Sequence, residues 1–115
     1  RRRNVANPTR GDVWLVDMGY SAKVRPALVL SVPIEGDERV LTTVVPHTTS
    51  VRNTRFESTS NVRWLKDGAF DAQGIGTYPT VKLVKRLGSL PADQFKSVEQ
   101  CVLKLLGYAA SQSSG

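Results

Sequence analysis

The sequence predicts a mainly β domain: a small, strongly curved antiparallel sheet or open barrel, closed by one C-terminal helix. Three observations carry that expectation. Short Val-, Leu- and Thr-rich runs recur between Gly, Pro and Asp punctuation. None of them is long enough for a globular helix until Pro91, beyond which Phe95, Val98, Val102 and Leu105 recur at spacings of three and four. At 115 residues, the chain is sized for one domain with a single core.

Residues 1–9 have no periodicity and read as a flexible basic arm, residues 10–107 as the domain, and residues 108–115 as a flexible tail of mostly small residues. Val13 to Val16 is an opening strand with aromatic and β-branched character, and Asp17 to Val24 is a polar, Gly-containing connection. The run Lys23 to Ser31, KVRPALVLS, is apolar after Arg25 except for Ser31, so it reads as a strand buried on both faces and paired with the first in a hairpin. Pro33 and Gly36 turn the chain over Val32 to Asp37. Arg39 to Val45 resumes as a Thr-rich third strand, which Pro46 is expected to stop. Val51 to Arg55 is loop, Arg55 to Glu57 a short strand, and Asn61 to Leu65 carries Trp64, read as filling a barrel or an interface rather than stacking a base. Gly68 to Gln73 is a further strand. Thr77 to Leu87 is the last extended segment, with Val81, Leu83 and Leu87 on one side and Lys82, Val84 and Arg86 on the other. Ser89-Leu90-Pro91 starts the helix, Asp93 complements its positive end, and Gly107 stops it.

A net charge of +6 points to a polyanionic partner, because clustered Lys and Arg release counterions from phosphate chains. Arg1, Arg2 and Arg3 supply much of that excess, and without them the chain is only mildly basic. No apolar run reaches the roughly 20 residues of a membrane span, and no apolar segment follows the basic start to make a signal peptide, so a cytoplasmic protein is expected. The single cysteine, Cys101, suits a reducing compartment, and one His with one Cys makes no zinc constellation.

Two places prepare for an anion. Pro26 cannot donate to a ladder and holds its predecessor extended, so Arg25 sets a permanently charged guanidinium at a rigid strand entrance. Gripping a phosphate and salt-bridging a surface carboxylate both fit it. Past Pro46, His47-Thr48-Thr49-Ser50 is a hydroxyl-rich exit that suits phosphate oxygens, or a Ser/Thr turn that satisfies its own backbone.

RGDVWLVD near the start, VRPALVLS, the VPHTTS exit and the terminal helix ending in Leu-Gly resemble, in order and spacing from Arg10 to Gly107, the MazF/PemK (Kid) family of toxin-antitoxin ribonucleases. The resemblance implies an SH3-like small barrel that forms a homodimer, cleaves single-stranded RNA (mRNA) at short sequences with no metal and no cofactor, and is held inactive by an acidic antitoxin. It carries the catalytic Arg onto Arg25, the catalytic Thr onto Thr48, and a base- or backbone-contacting Gln onto Gln73. Ser31 and Thr49 flank these positions as further RNA-binding candidates. The first loop, Met18 to Val24, is shorter than in many relatives and lacks their acidic residue. Tyr20 and Lys23 are its substitutes, for stacking and for phosphate attraction.

The chemistry of the residues agrees with that expectation. RNA carries its own nucleophile, the 2′-hydroxyl, so an enzyme need only align it, help protons move and stabilise the charge on phosphorus. Arg25 suits charge stabilisation, since its guanidinium matches phosphate oxygens and does not accept protons. His47 is a candidate acid or base, although alternation along an extended segment turns it away from Thr48. Two other classes compete: a non-catalytic nucleic-acid-binding barrel, and a toxin of the same fold that poisons a topoisomerase through its terminal helix.

Overall fold

The computed structural model describes residues 7–19 and 23–108. Residues 1–6 of the arm, residues 109–115 of the tail and Tyr20 in the first loop lie outside the described residues. Seven strands, β1 (Asp12–Asp17), β2 (Val24–Val29), β3 (Leu41–Thr48), β4 (Glu57–Ser60), β5 (Gly68–Asp71), β6 (Gly76–Pro79) and β7 (Leu83–Ser89), precede the helix α1 (Ala92–Leu105). They form one antiparallel sheet in the order β4-β5-β3-β2-β1-β7, with β6 pairing with β3 off this path. No pairing joins β7 to β4, so the fold is an open small barrel with a terminal helix, as the sequence predicts.

The longest strand, β3, is the organiser. It pairs with β2 from Val44 to Pro46, with β6 from Leu41 to Val44, and with β5 at His47 and Thr48. Pro46 therefore does not stop it. The missing N–H of Pro46 falls where β3 exchanges partners, and the strand runs on to Thr48.

Both faces of the sheet are apolar, which explains the unbroken Val/Leu runs. On one face Val13, Leu28, Val45 and Phe70 are fully buried with Ala72 beneath Val98, Cys101 and Val102 of α1. On the other, Val16, Ala27, Val29, Val44 and Leu83 form a second cluster, bordered by Trp14, Met18 and Tyr78. Alternation along β2 and β3 assigns the residues to faces: Ala27 and Val29 against Leu28, Val44 against Val45.

Polar ties hold the ends. The buried carboxylate of Asp12 accepts the Thr9 N–H at 3.1 Å and the Ser89 hydroxyl at 3.1 Å, with Arg86 Nε 3.3 Å away. Ser89 is thus committed to Asp12 and does not cap the helix, whose N-cap position is Pro91 with no side-chain cap. At the other end the N–H of Tyr108 reaches Leu103 O at 2.9 Å and that of Gly107 reaches Lys104 O at 3.1 Å, with Gly107 at φ +86°. This is a Schellman stop, the arrangement a glycine makes cheap.

Three element boundaries differ from expectation. The short strand is at Glu57–Ser60 rather than around Phe56, because the Glu57 carboxylate accepts the N–H groups of Arg52 and Thr54 and so closes the loop before it. Strand β5 ends at Asp71, whose carboxylate accepts the Gln73 N–H at 3.0 Å and opens a 3₁₀ turn over Ala72–Gly74. The last extended segment is broken by a second 3₁₀ turn, Thr80–Lys82, which turns Val81 outward to 66 % exposure. Inside it the Thr80 hydroxyl pairs with Thr42 at 2.8 Å.

Candidate active site

Where β2 and β3 part, the surface opens. Their ladder ends at Ala27 and Pro46 because Pro26 has no N–H to extend it. Carrying the register two steps further sets Arg25 level with Thr48. Arg25 belongs by alternation to the face of Ala27 and Val29, and Thr48 to the face of Val44, which is the same face. The Arg25 guanidinium is exposed, and among the described residues no carboxylate lies within salt-bridge distance of it. The Thr48 hydroxyl accepts the Ser50 N–H at 3.0 Å, which leaves its own proton free to donate.

A cleft of about 560 Å³ opens at this point, lined by Lys23 and the first residues of β2, Val24, Arg25 and Pro26, and by His47 of β3 with Thr49 just beyond it. Trp64, Leu65, Lys66 and Leu87 complete its walls. Three cations and no carboxylate line it, so its field favours an anion. Lys23 sits at φ 57°, the left-handed region, and closes the loop: its carbonyl takes the Met18 N–H at 2.9 Å and its N–H reaches Gly19 O at 3.1 Å.

His47 is held tightly. Its Nε2 lies 2.9 Å from Ser60 Oγ and its ring stands edge-on to Phe70, with centroids 5.0 Å apart. Ser60 Oγ also reaches the Gly68 carbonyl at 3.4 Å. If that hydroxyl donates to the carbonyl, Nε2 carries the imidazole proton and Nδ1 keeps its lone pair. A side chain at Gly68 would collide with the Thr48 carbonyl and stand 2.8 Å from His47 Cε1, so this close approach requires glycine. Burial pushes the His47 pKa below its ordinary value of 6.5, which keeps the ring neutral near pH 7.

Of the residues singled out from sequence, Lys23, Arg25, His47 and Thr49 line one cleft; Thr48 does not line it and, by alternation along β3, faces the other side of the strand from His47. Ser31 and Gln73 stand elsewhere. Ser31 Oγ accepts the Thr43 N–H at 3.0 Å beside a separate apolar cavity with Val32 and Ile34, and Gln73 is exposed on its 3₁₀ turn. Sequence reasoning did not single out Lys66, Ser60 or Gly68, whose roles depend on which strand crosses β3. Trp64 belongs to neither core cluster and lines the cleft at 37 % exposure.

Residues 9–106 match the family described as PemK-like, MazF-like toxin of type II toxin-antitoxin system. MazF from Deinococcus radiodurans is 27% identical, with a TM-score of 0.73 over 89% of this chain and 98% of that one. A MazE-MazF complex of the same organism gives a TM-score of 0.76 at 24% identity, covering 90% and 99% of the two chains. An endoribonuclease from a mycobacterial species gives 0.78 at 19% identity, covering 95% and 100%. The last two likenesses speak for the fold alone. With the family match spanning nearly the whole described domain, the chain belongs to the PemK-like, MazF-like toxins of type II toxin-antitoxin systems.

Proposed function

We propose that this toxin is a sequence-selective endoribonuclease that cuts single-stranded RNA without a metal ion. The 2′-oxygen attacks the adjacent phosphorus, its proton passes to a base, and the 5′-oxygen leaves with a proton from an acid. The products are a 2′,3′-cyclic phosphate and a 5′-hydroxyl. Arg25 stabilises the added negative charge, and the free proton of the Thr48 hydroxyl bonds a non-bridging oxygen. His47, neutral at pH 7, is the remaining candidate acid or base; it packs on Phe70, on the face of β3 opposite Thr48, so a proton reaches it only around the end of the strand. Lys23 and Thr49 hold flanking phosphates, and Ser31, Gln73 and Tyr20 are the remaining candidates for RNA contacts.

One observation carries this reading: an exposed arginine without a carboxylate partner among the described residues, level with a free hydroxyl donor on the same sheet face. The MazE-MazF and endoribonuclease–antitoxin complexes among its structural neighbours support an antitoxin as partner. The basic cleft suits an acidic segment of such a partner. A homodimer is part of the same reading, supported by the exposed apolar side chains of Val32, Val40, Val81 and Val84.

The test is incubation of the purified protein with unstructured RNA in EDTA, followed by mapping of the new 5′ ends. Fragments with 5′-hydroxyls at a recurring short sequence are expected. Intact RNA across a diverse pool refutes the enzymatic reading.

A further inference from the structure

Among the described residues Trp64 is the one large aromatic side chain on the cleft wall, and its setting is built rather than incidental. It lies against β7 at Gly88: a Cβ there would stand 2.7 Å from indole Cε2, 2.8 Å from Cζ2 and 3.1 Å from Cδ2. Three neighbouring ring atoms at nearly equal distance mean that the ring lies face-down on the glycine backbone. Gly88 is therefore a seat that any larger residue would remove. One face of the indole is spent on this contact, yet the residue remains 37 % exposed and borders the cleft.

The surroundings select the occupant. An apolar platform alone would suit many side chains, but this one shares its cleft with Lys23, Arg25 and Lys66 and with no carboxylate. A nucleotide satisfies both halves at once, offering a flat π-face to the indole and a phosphate to the cations. A volume of about 560 Å³ holds one base with its sugar and phosphate. We infer that Trp64 is a stacking platform for one nucleobase next to the scissile phosphate, positioned by Gly88. This rests on the reading of the cleft as an RNA site and adds to it where one base is held. Stacking is tolerant of base identity, so Trp64 contributes affinity and alignment, while hydrogen-bonding groups around it discriminate.

Two measurements test the platform separately from cleavage. In a Trp14→Phe background, emission from Trp64 alone is followed during titration with a single-stranded 2′-deoxy oligonucleotide, which lacks the nucleophile and stays uncut. Quenching is expected, as is roughly 5- to 150-fold weaker binding in Trp64→Ala. One abasic position in the oligonucleotide should cost the wild type a similar factor and cost Trp64→Ala almost nothing. Trp64→Phe should recover much of the loss, and Gly88→Ala, which touches no charge, should mimic Trp64→Ala while circular dichroism shows the fold retained.

Equal affinity of wild type and Trp64→Ala, with RNA cleavage intact, overturns the platform and leaves the nuclease reading standing. Quenching and coupling in a protein that cuts no RNA would uphold the platform and remove the nuclease reading. Quenching by an acidic peptide but not by the oligonucleotide makes Trp64 a protein-docking residue and overturns the inference.

Discussion

His47 illustrates how one residue's surroundings set its chemistry. Phe70, Ser60 and the bare backbone of Gly68 enclose the ring and make its protonation costly. With the folded-state pKa below 6.5, the unfolded chain takes up a proton that the folded chain refuses as pH falls. Stability from the neutral ring is therefore full above 6.5 and is lost between 6.5 and the lower folded value. Thermal unfolding followed from about pH 7 to 5 should show this decline, and His47→Gln should flatten it. A ring titration by NMR at or above 6.5 would contradict the burial argument. Gly68→Ala should cost about 1–3 kcal/mol, because the added methyl meets the Thr48 carbonyl and the His47 ring together. Denaturant midpoints measure it.

At the scale of elements, β3 decides what was legible in the sequence. Strands and helix were readable because apolar runs and spacing are local signals, and Gly107 marked the helix end in advance. Gly107→Ala should destabilise by about 1–2 kcal/mol, since φ +86° strains any residue with a Cβ. A thermal midpoint about 4–16 °C lower would show it. What local signals missed were exchanges of partner. Pro46 reads as a stop until β5 takes over from β2 beyond it, and Thr77 to Leu87 reads as one strand until the Thr42–Thr80 pair shows the break. The site followed the same rule. Arg25-Pro26 and the hydroxyl-rich exit are visible as short motifs. Trp64 and Lys66 reach the cleft only because the β4–β5 connection passes over β7 at Gly88, a contact between positions 24 apart in sequence for Trp64.

Across the whole molecule, the net charge of +6 matters less than the one opening where three cations converge without a carboxylate. Arg10 and Arg86 are occupied with Glu99 and Asp12, whereas Lys23, Arg25 and Lys66 face one opening. An acidic, antitoxin-like peptide should thus bind with strong salt dependence, weakening steadily in calorimetry as ionic strength rises. Unchanged affinity from low to high salt would argue against electrostatic docking there. RNA and such a peptide would compete, because the same three cations serve both.

The central claim concerns Arg25 and Thr48 acting on one phosphate. Its most direct test is the single-turnover cleavage rate of an RNA oligonucleotide in EDTA, measured for wild type, Arg25→Ala, Thr48→Ala and the double variant, with folding checked by circular dichroism. Each single change should slow cleavage by about 10²–10³-fold, and the double by less than the product of the two. Cleavage at the wild-type rate by folded Arg25→Ala would contradict the account.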